Sequence, residues 1–162
     1  MKTMTFHSKL KIVIDTKEQR PWAFPSYLID SRRGALKTAD YALDGDNNFA
    51  IERKSLDDFL GTISSGWERF LRELDRMEEA RYPARIIIIE GDFQTCCFRE
   101  SEDGYIVPPE HNHPRLTPQF VSSRIAELML MGVCVMFATN PGYAAALACS
   151  IFYHRNLEIL NK

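Results

Sequence analysis

The sequence predicts a three-layer α/β domain with a mixed central sheet. Two nearly continuous apolar runs, Arg85–Glu90 and Gly132–Thr139, are typical of strands that are buried on both faces. Helical segments surround these runs, and strands that alternate with helices pair in parallel through right-handed crossovers. An earlier turn at Asp44-Gly45 predicts an antiparallel hairpin, so we expect the sheet to be mixed.

Length and composition indicate one globular domain. The chain has 162 residues, of which 45% are hydrophobic and 26% are charged, so we predict a single domain over residues 1–162. No apolar run reaches the roughly 18 residues that span a membrane, and the N-terminus lacks the pattern of a signal peptide. We therefore expect a cytoplasmic protein. The net charge of −2 excludes tight DNA binding through a large positive field, but it does not exclude a nuclease, because metal sites need carboxylates.

The first half of the chain is predicted to supply three strands. Lys11–Asp15 is a short β-branched run, typical of a strand. A loop with two prolines follows it. Ala35–Leu43 and Phe49–Lys54 are predicted to be the arms of the hairpin, because turn residues separate them.

Helices are predicted from caps, prolines and periodicity. Ser55 and Asp58 match a capping box, and the next helix has apolar residues at a spacing of three and four. A stretch at about 93–118 has four prolines and no clear period, so we predict a loop or insertion there. The predicted helices start at Ser55, after Gly66 (to about Arg81), at Pro118 (to about Met131) and at about Pro141 (to about Leu160).

A group of charged residues on the predicted hairpin indicates chemistry. Glu52 and Lys54 are two residues apart on one strand and project to the same face. The other arm can bring Asp40 beside them. Two carboxylates and an ammonium suit a divalent cation, since Mg²⁺ prefers carboxylate ligands and binds phosphate oxygens as well. By spacing alone, a solvated ion pair between Glu52 and Lys54 is an alternative.

The longer motif resembles a known family of nucleases. Asp40 with Glu52-X-Lys54 resembles the PD-(D/E)XK pattern, and residues 52–58 contain ERKxxxD. Residues 13–18 (VIDTKE) resemble an hhDxRE motif, and residues 39–41 (ADY) resemble GDY. In this order the motifs resemble the nuclease domain of the XPF family of structure-specific endonucleases, over about residues 10–160. The resemblance implies an α/β/α fold like that of restriction endonucleases.

The same resemblance implies a metal site. Asp15, Asp40 and Glu52 would be the ligands of Mg²⁺ or Mn²⁺, and Glu18 would be a carboxylate of the outer shell or of a second metal. Asp15 has a simpler alternative reading, as a residue that ends a strand and starts a turn.

Further catalytic roles follow from the matched positions. Lys54 would position or activate the attacking water, Arg53 would hold the site together or contact phosphate, and Asp58 would lie near the site. Asp58 has the alternative role of capping a helix.

Four basic residues are candidates for DNA contact. They are Lys17, Arg20, Arg69 and Arg72. For Arg69 and Arg72 the alternative is the solvated face of an amphipathic helix.

Two residues depart from the family pattern. Lys17 stands where hhDxRE has arginine, which keeps the charge but loses the planar fork. Ala39 stands where GDY has glycine, which is tolerable only if its φ angle is not positive.

The resemblance implies a metal-dependent DNA endonuclease that acts on branched or flapped DNA, in recombination, replication or repair. We expect a stand-alone domain of the kind found in phages or prophages, with a separate protein as a candidate DNA-binding partner. Homodimerisation through the C-terminal helices is also implied. The alternative is a catalytically silent DNA-binding or scaffolding subunit of a nuclease complex.

Overall fold

Strands and helices alternate along most of the chain. The computed structural model describes residues 9–79, 84–94, 99–107 and 116–161. In chain order the elements are β1 (Leu10–Asp15), β2 (Ile29–Gly34), β3 (Tyr41–Leu43), β4 (Phe49–Ser55), α1 (Leu56–Ile63), α2 (Trp67–Glu79), β5 (Ala84–Glu90), β6 (Arg99–Glu100), β7 (Ile106–Val107), α3 (Pro118–Leu130), β8 (Val133–Ala138) and α4 (Pro141–Leu160).

Six of the strands form one sheet. The sheet is mixed, as the sequence predicts. The spatial order of its strands is β2-β1-β3-β4-β5-β8. β1 pairs parallel with β2, and β4, β5 and β8 pair parallel with one another. β3 is antiparallel to both of its neighbours, so β1 and β4 run in the same direction. The carboxyl ends of β1, β4, β5 and β8 therefore lie at one edge of the sheet.

Two hydrophobic cores, one on each face of the sheet, confirm the three layers. Consecutive residues of β5 alternate between them: Ile88 belongs to the core that includes α4, whereas Ile87 and Ile89 belong to the core formed with α1, α2 and α3. Ile88 and Ile89 are completely buried. Burying such a side chain contributes roughly 1.5–3 kcal/mol, so β5 needs apolar residues on both faces.

The predicted helix starts are confirmed by their caps. The N–H of the residue three positions on donates to the side chain of Ser55 (3.1 Å), Thr117 (3.2 Å) and Asn140 (3.0 Å). Proline follows both Thr117 and Asn140 in the first helical turn, where its missing N–H leaves no hydrogen bond unmade.

The apolar residues of the last helix, α4, divide between core and surface. Ala144, Ala148 and Phe152 are completely buried against the sheet, whereas Tyr143 is 67% exposed. Dimerisation through this helix therefore stays a prediction. Within the described residues, no helix has the length and apolarity to cross a membrane.

The early strands differ from the prediction in two ways. β2 was not predicted, because only its first residue, Ile29, is buried and the remaining residues give no alternating pattern. The first hairpin arm, predicted over Ala35–Leu43, is a strand only over Tyr41–Leu43. Residues 35–40 leave β2 and turn towards β3 without pairing as a strand.

The stretch at 93–118, predicted as a loop or insertion, contains two short strands among its described residues. β6 and β7 pair antiparallel across a turn in which Gly104 has a φ of +79°. Residues 95–98 and 108–115 lie outside the described part of the chain, so the loop or insertion over 93–118 stays a prediction.

Alanine at position 39 was expected to be tolerated only if its φ angle is not positive, and the structure does not meet this condition. Ala39 has a φ of +61°, and it is the only described non-glycine residue with a positive φ. This conformation brings Cβ too close to the following carbonyl oxygen, at a cost of roughly 1–2 kcal/mol. The chain therefore carries backbone strain directly before Asp40.

Replacing Ala39 with glycine is expected to raise the free energy of unfolding by about 1 kcal/mol, because glycine adopts a positive φ without strain. Urea denaturation measures the change. As a control, Ala146→Gly on the exposed face of α4 is expected to lower stability by about 0.5–1 kcal/mol. A loss of stability in both variants would show that Ala39 is not strained.

Candidate active site

Charged residues gather where the carboxyl ends of β1, β4 and β5 meet. Asp15 ends β1, Glu52–Lys54 lie near the end of β4, and Glu90 ends β5. Ser55 is in register with Glu90 across the β4–β5 pair. A cleft of about 400 Å³, which we call the carboxylate cleft, opens at this edge. Its lining residues are Lys17, Glu18, Gln19, Arg20, Asp40, Glu52, Arg53, Ser55 and Asp58.

Asp40 and Glu52 are the central carboxylates of the cleft. The backbone N–H of Arg53 donates to Asp40 Oδ2 at 2.8 Å, and Asp40 itself is held by its N–H to Ile51 O (3.1 Å). Burial, and then the charges of Glu52 and Glu18, raise the pKa of Asp40 to about 7. Burial raises the pKa of Glu52 as well, and Lys54 opposes that rise. The two carboxylates therefore repel each other in a poorly solvated place.

Lys54 lies on the same face as Glu52, as the strand period predicts. Its Nζ donates to Glu52 Oε1 at 2.8 Å and lies 5.7 Å from the centre of the Phe70 ring. The side chain of Lys54 is 14% exposed between the carboxylate and the ring. The arrangement places one fixed cation beside the two carboxylates.

Arg53 points away from its neighbours on β4 and makes a bidentate pair. Its Nε and Nη2 each donate to Glu90 at 2.7 Å. Its remaining Nη1 lies 3.4 Å from Glu18 Oε1. Hydrogen bonds to Glu90 raise the pKa of Arg53 above its usual range. Arg53 therefore ties together β4, β5 and the loop after β1.

Trp22 and Tyr41 support the pair formed by Arg53 and Glu90. The Trp22 Nε1 donates to Glu90 Oε1 at 2.7 Å, and its backbone N–H donates to the Tyr41 hydroxyl at 2.9 Å. The two rings stack with their centres 4.4 Å apart. The loop after β1 is thus packed against the strand that follows Asp40.

Asp15 lies at the base of the site and not in the lining of the cleft. It is 5% exposed, and its Oδ1 and Oδ2 accept backbone N–H groups from Lys17 (2.8 Å) and Leu36 (2.7 Å). Arg33 adds two hydrogen bonds to the same loop, because its Nη1 donates to the carbonyl oxygens of Asp15 and Glu18. In this structure Asp15 organises two loops beside the cleft.

Asp58 supports the N-cap of α1, which is Ser55, and also lines the cleft. Its N–H donates to Ser55 Oγ, and that hydroxyl donates to Asp58 Oδ2 at 2.7 Å. Among the basic candidates, Lys17 and Arg20 line the carboxylate cleft, whereas Arg69 lies in a neighbouring cleft and Arg72 lines neither.

Sequence reasoning missed Glu90 and Arg33. Glu90 had one signal: it is a charge directly after four isoleucines, at the carboxyl end of a strand parallel to the one that carries Glu52. Arg33 had none, because it lies on the unpredicted strand β2 and acts through backbone carbonyls of a distant loop.

The donor set suits a hard divalent cation bound mainly by two carboxylates. Asp40 Oδ1 and Glu52 Oε2 accept no hydrogen bond from any residue that the structure describes, so both have free lone pairs. No three Asp, Glu, His or Cys residues in the described ranges are grouped closely enough to form a complete metal cage. Mg²⁺ commonly uses one or two carboxylates and keeps several waters, so the residues fit such an ion.

Fold and site together define a PD-(D/E)XK-like α/β/α domain. The family model of the ERCC4 domain matches residues 14–151 of this chain. The chain therefore belongs to the ERCC4 domain family. No curated protein matches its sequence.

Two similar solved structures confirm the fold. XPF from Aeropyrum pernix has a TM-score of 0.61 and 21% sequence identity, with 90% of this chain and 61% of that chain covered. XPF from Aeropyrum pernix in complex with DNA has a TM-score of 0.62 and 21% identity, with 93% of this chain and 66% of that chain covered. The chain spans less than two thirds of the length of either structure.

Proposed function

We propose that the protein is a metal-dependent DNA endonuclease that hydrolyses phosphodiester bonds in branched or flapped DNA. The observation that carries the proposal is the grouping of Asp40 and Glu52 with Lys54 at one edge of the sheet, where burial and then the charge of Glu52 raise the pKa of Asp40 to about 7. Strongly shifted carboxylates in a cleft are typical of functional sites. Membership of the ERCC4 domain family supports the same conclusion.

Asp40 and Glu52 would hold Mg²⁺ or Mn²⁺, and Glu18, which lines the same cleft, would be a carboxylate of the outer shell. When bound, such a cation lowers the pKa of a coordinated water and screens the negative charge that develops on the phosphate. It would also relieve the repulsion between the two carboxylates.

The chain's own residues would orient the reactants. Lys54, held against Glu52 at 2.8 Å, would orient the attacking water and stabilise charge on the phosphate. Arg53 would keep β4 in place through Glu90. In-line attack would leave a 5′-phosphate and a 3′-hydroxyl, as the family resemblance implies.

DNA is the proposed partner, and Lys17, Arg20 and Arg69 are the proposed phosphate contacts. The solved XPF from Aeropyrum pernix in complex with DNA supports this substrate class. The net charge of −2 makes weak, salt-sensitive binding the expectation. A separate DNA-binding partner would compensate for it, in recombination, replication or repair.

A homodimer through the C-terminal helices belongs to the same proposal. Three apolar residues of α4, Tyr143, Ile159 and Leu160, are exposed and open to such a contact.

The test is cleavage of end-labelled flap, fork and plain duplex DNA with Mg²⁺ or Mn²⁺, and with a chelator. We expect cleavage of branched DNA that needs the cation. Lys54→Ala should lower the rate by about 10²–10³-fold, the effect of removing one charge-stabilising donor. Lys37→Ala, an exposed lysine outside the cleft, is the control and should cleave normally.

Two results would overturn this reading. Binding of DNA without cleavage of any substrate would favour the catalytically silent subunit. Cleavage that persists in the chelator would remove the metal from the proposal.

A further inference from the structure

A second cleft adjoins the carboxylate cleft. It has a volume of about 610 Å³, and we call it the α1–α2 cleft because it follows the end of α1 and the turn into α2. Arg53 and Asp58 line both clefts, so the two are continuous. The residues that line the α1–α2 cleft are Arg53, Lys54, Asp57, Asp58, Gly61, Thr62, Ser65, Gly66 and Arg69.

Packing within the fold does not explain why residue 61, which lines this cleft, is a glycine. It lies inside helix α1, where glycine is less favourable than alanine. Its φ is not positive, and a Cβ built on it would meet no atom within 4 Å. The helix would therefore accept a side chain here, and that side chain would project into the cleft.

Gly66 provides the contrast. A Cβ on Gly66 would lie 3.2 Å from both the Gly61 carbonyl oxygen and the Thr62 Cα. The N–H of Gly66 also donates to that carbonyl at 3.0 Å. Packing of the α1–α2 turn explains this glycine, whereas the position that a Gly61 Cβ would occupy is open.

The polar lining indicates what approaches Gly61. Arg69 projects from α2 and makes no ion pair or hydrogen bond with the residues that the structure describes. Arg53 lines both clefts and Lys54 lines this one, each paired with a carboxylate of the neighbouring site, and Ser65 adds an exposed hydroxyl. The lining also contains Asp57 and Asp58, so Arg69 is the cation here that has no carboxylate partner among the described residues. Cations and hydroxyls of this kind bind phosphate and sugar oxygens without reading base sequence.

We propose that the α1–α2 cleft holds the sugar–phosphate backbone of the DNA strand next to the phosphate that is cleaved, and that Gly61 is kept free of a side chain so that this backbone can pass. The inference rests on the proposed nuclease function. It adds the path of the strand, from the carboxylate cleft past Gly61 to Arg69.

The test combines stability with DNA binding in Gly61→Ala and Gly61→Leu. Gly61→Ala should raise the melting temperature by about 2–4 °C, because alanine favours the helix. The same change should raise the Kd for labelled flap DNA, measured by fluorescence anisotropy, by about tenfold. Gly61→Leu should raise the Kd further. A variant that is more stable yet binds DNA less well cannot be explained by misfolding.

Two controls make the result specific. Ala126→Leu adds a similar side chain on the exposed face of α3, outside both clefts, and should bind DNA normally. Arg69→Ala should weaken binding and lower the slope of log Kd against log salt by about one, whereas Arg76→Ala, exposed on the same helix but outside the cleft, should leave that slope unchanged.

The outcomes separate this inference from the proposed function. Normal binding and cleavage by Gly61→Leu, with active wild type, would overturn the strand path and leave the nuclease proposal intact. A wild-type protein that neither binds nor cleaves DNA would overturn both.

Discussion

Replacing Asp40 with asparagine is expected to lower DNA cleavage by about 10³-fold or more, which corresponds to roughly 4 kcal/mol of transition-state stabilisation. Asparagine keeps an oxygen that can accept the Arg53 N–H, so the local backbone should stay in place. It removes the charge that a divalent cation would need. Rates on flap DNA at saturating Mg²⁺ measure the loss, and circular dichroism checks the fold.

Asp30→Asn is the matched control. Asp30 is an exposed aspartate on β2, at the opposite end of that strand from the site, and the same change there should leave the rate unaltered. Full activity of Asp40→Asn would exclude Asp40 from the catalytic group.

The same variant should change how stability depends on pH. In the folded, metal-free protein the pKa of Asp40 is raised to about 7 from an ordinary value of 3.8. Between these values the unfolded chain binds fewer protons, so this contribution to stability is complete below about pH 4 and is lost as pH rises through 7. The asparagine side chain cannot titrate, so the decline should be smaller in Asp40→Asn. Denaturant unfolding in a chelator at pH 5 and pH 8 measures the difference, and an identical decline in both proteins would contradict it.

Replacing Glu90 with glutamine is expected to lower the free energy of unfolding by about 3 kcal/mol, because it leaves Arg53 as a partly unpaired buried charge. The side chains of Arg53 and Glu90 are only 16% and 9% exposed. Glu18, whose Oε1 lies 3.4 Å from Arg53 Nη1, would remain as a weaker partner for Arg53. We therefore expect a loss of stability at the low end of the range measured when one partner of a buried ion pair is removed. Urea denaturation with an unchanged slope measures the loss.

Glu78→Gln supplies the comparison for a surface pair. Glu78 lies 3.8 Å from Arg85 and is 74% exposed, so its removal should change stability by less than about 0.5 kcal/mol. Equal losses in the two variants would mean that the Arg53–Glu90 pair contributes no more than a surface contact.

Local patterns in the sequence were sufficient to predict the layers and most elements. The continuous apolar run of β5 follows from burial on both faces, and the helix starts follow from caps that satisfy free N–H groups within three residues. The apolar run of β8 was expected to be buried in the same way, but β8 is an edge strand in which Cys134 is exposed. The edge strand β2 was not predicted because only one of its side chains is buried. An alternating hydrophobic pattern appears in the sequence only where one face of a strand is buried.

The candidate site divides in the same way. The position of Glu52 and Lys54 on one face follows from the two-residue period of a strand and was predicted from spacing. The ion pair that they form at 2.8 Å was given as an alternative to a role in metal binding. The partners of Arg53 were not, because Glu90 is 37 residues away in the chain and meets Arg53 only through the register of β4 against β5.

The sequence by itself determined the three-layer architecture, the helix boundaries that rest on caps, and the grouping of Glu52 and Lys54. The tertiary structure alone decided that Asp15 binds loop N–H groups, that Ala39 is strained, and that Glu90 and Arg33 support the site. Periodicity and capping are properties of neighbouring residues. The charge pairs and loop ties depend on strand register and packing between segments far apart in the chain, which no local pattern specifies.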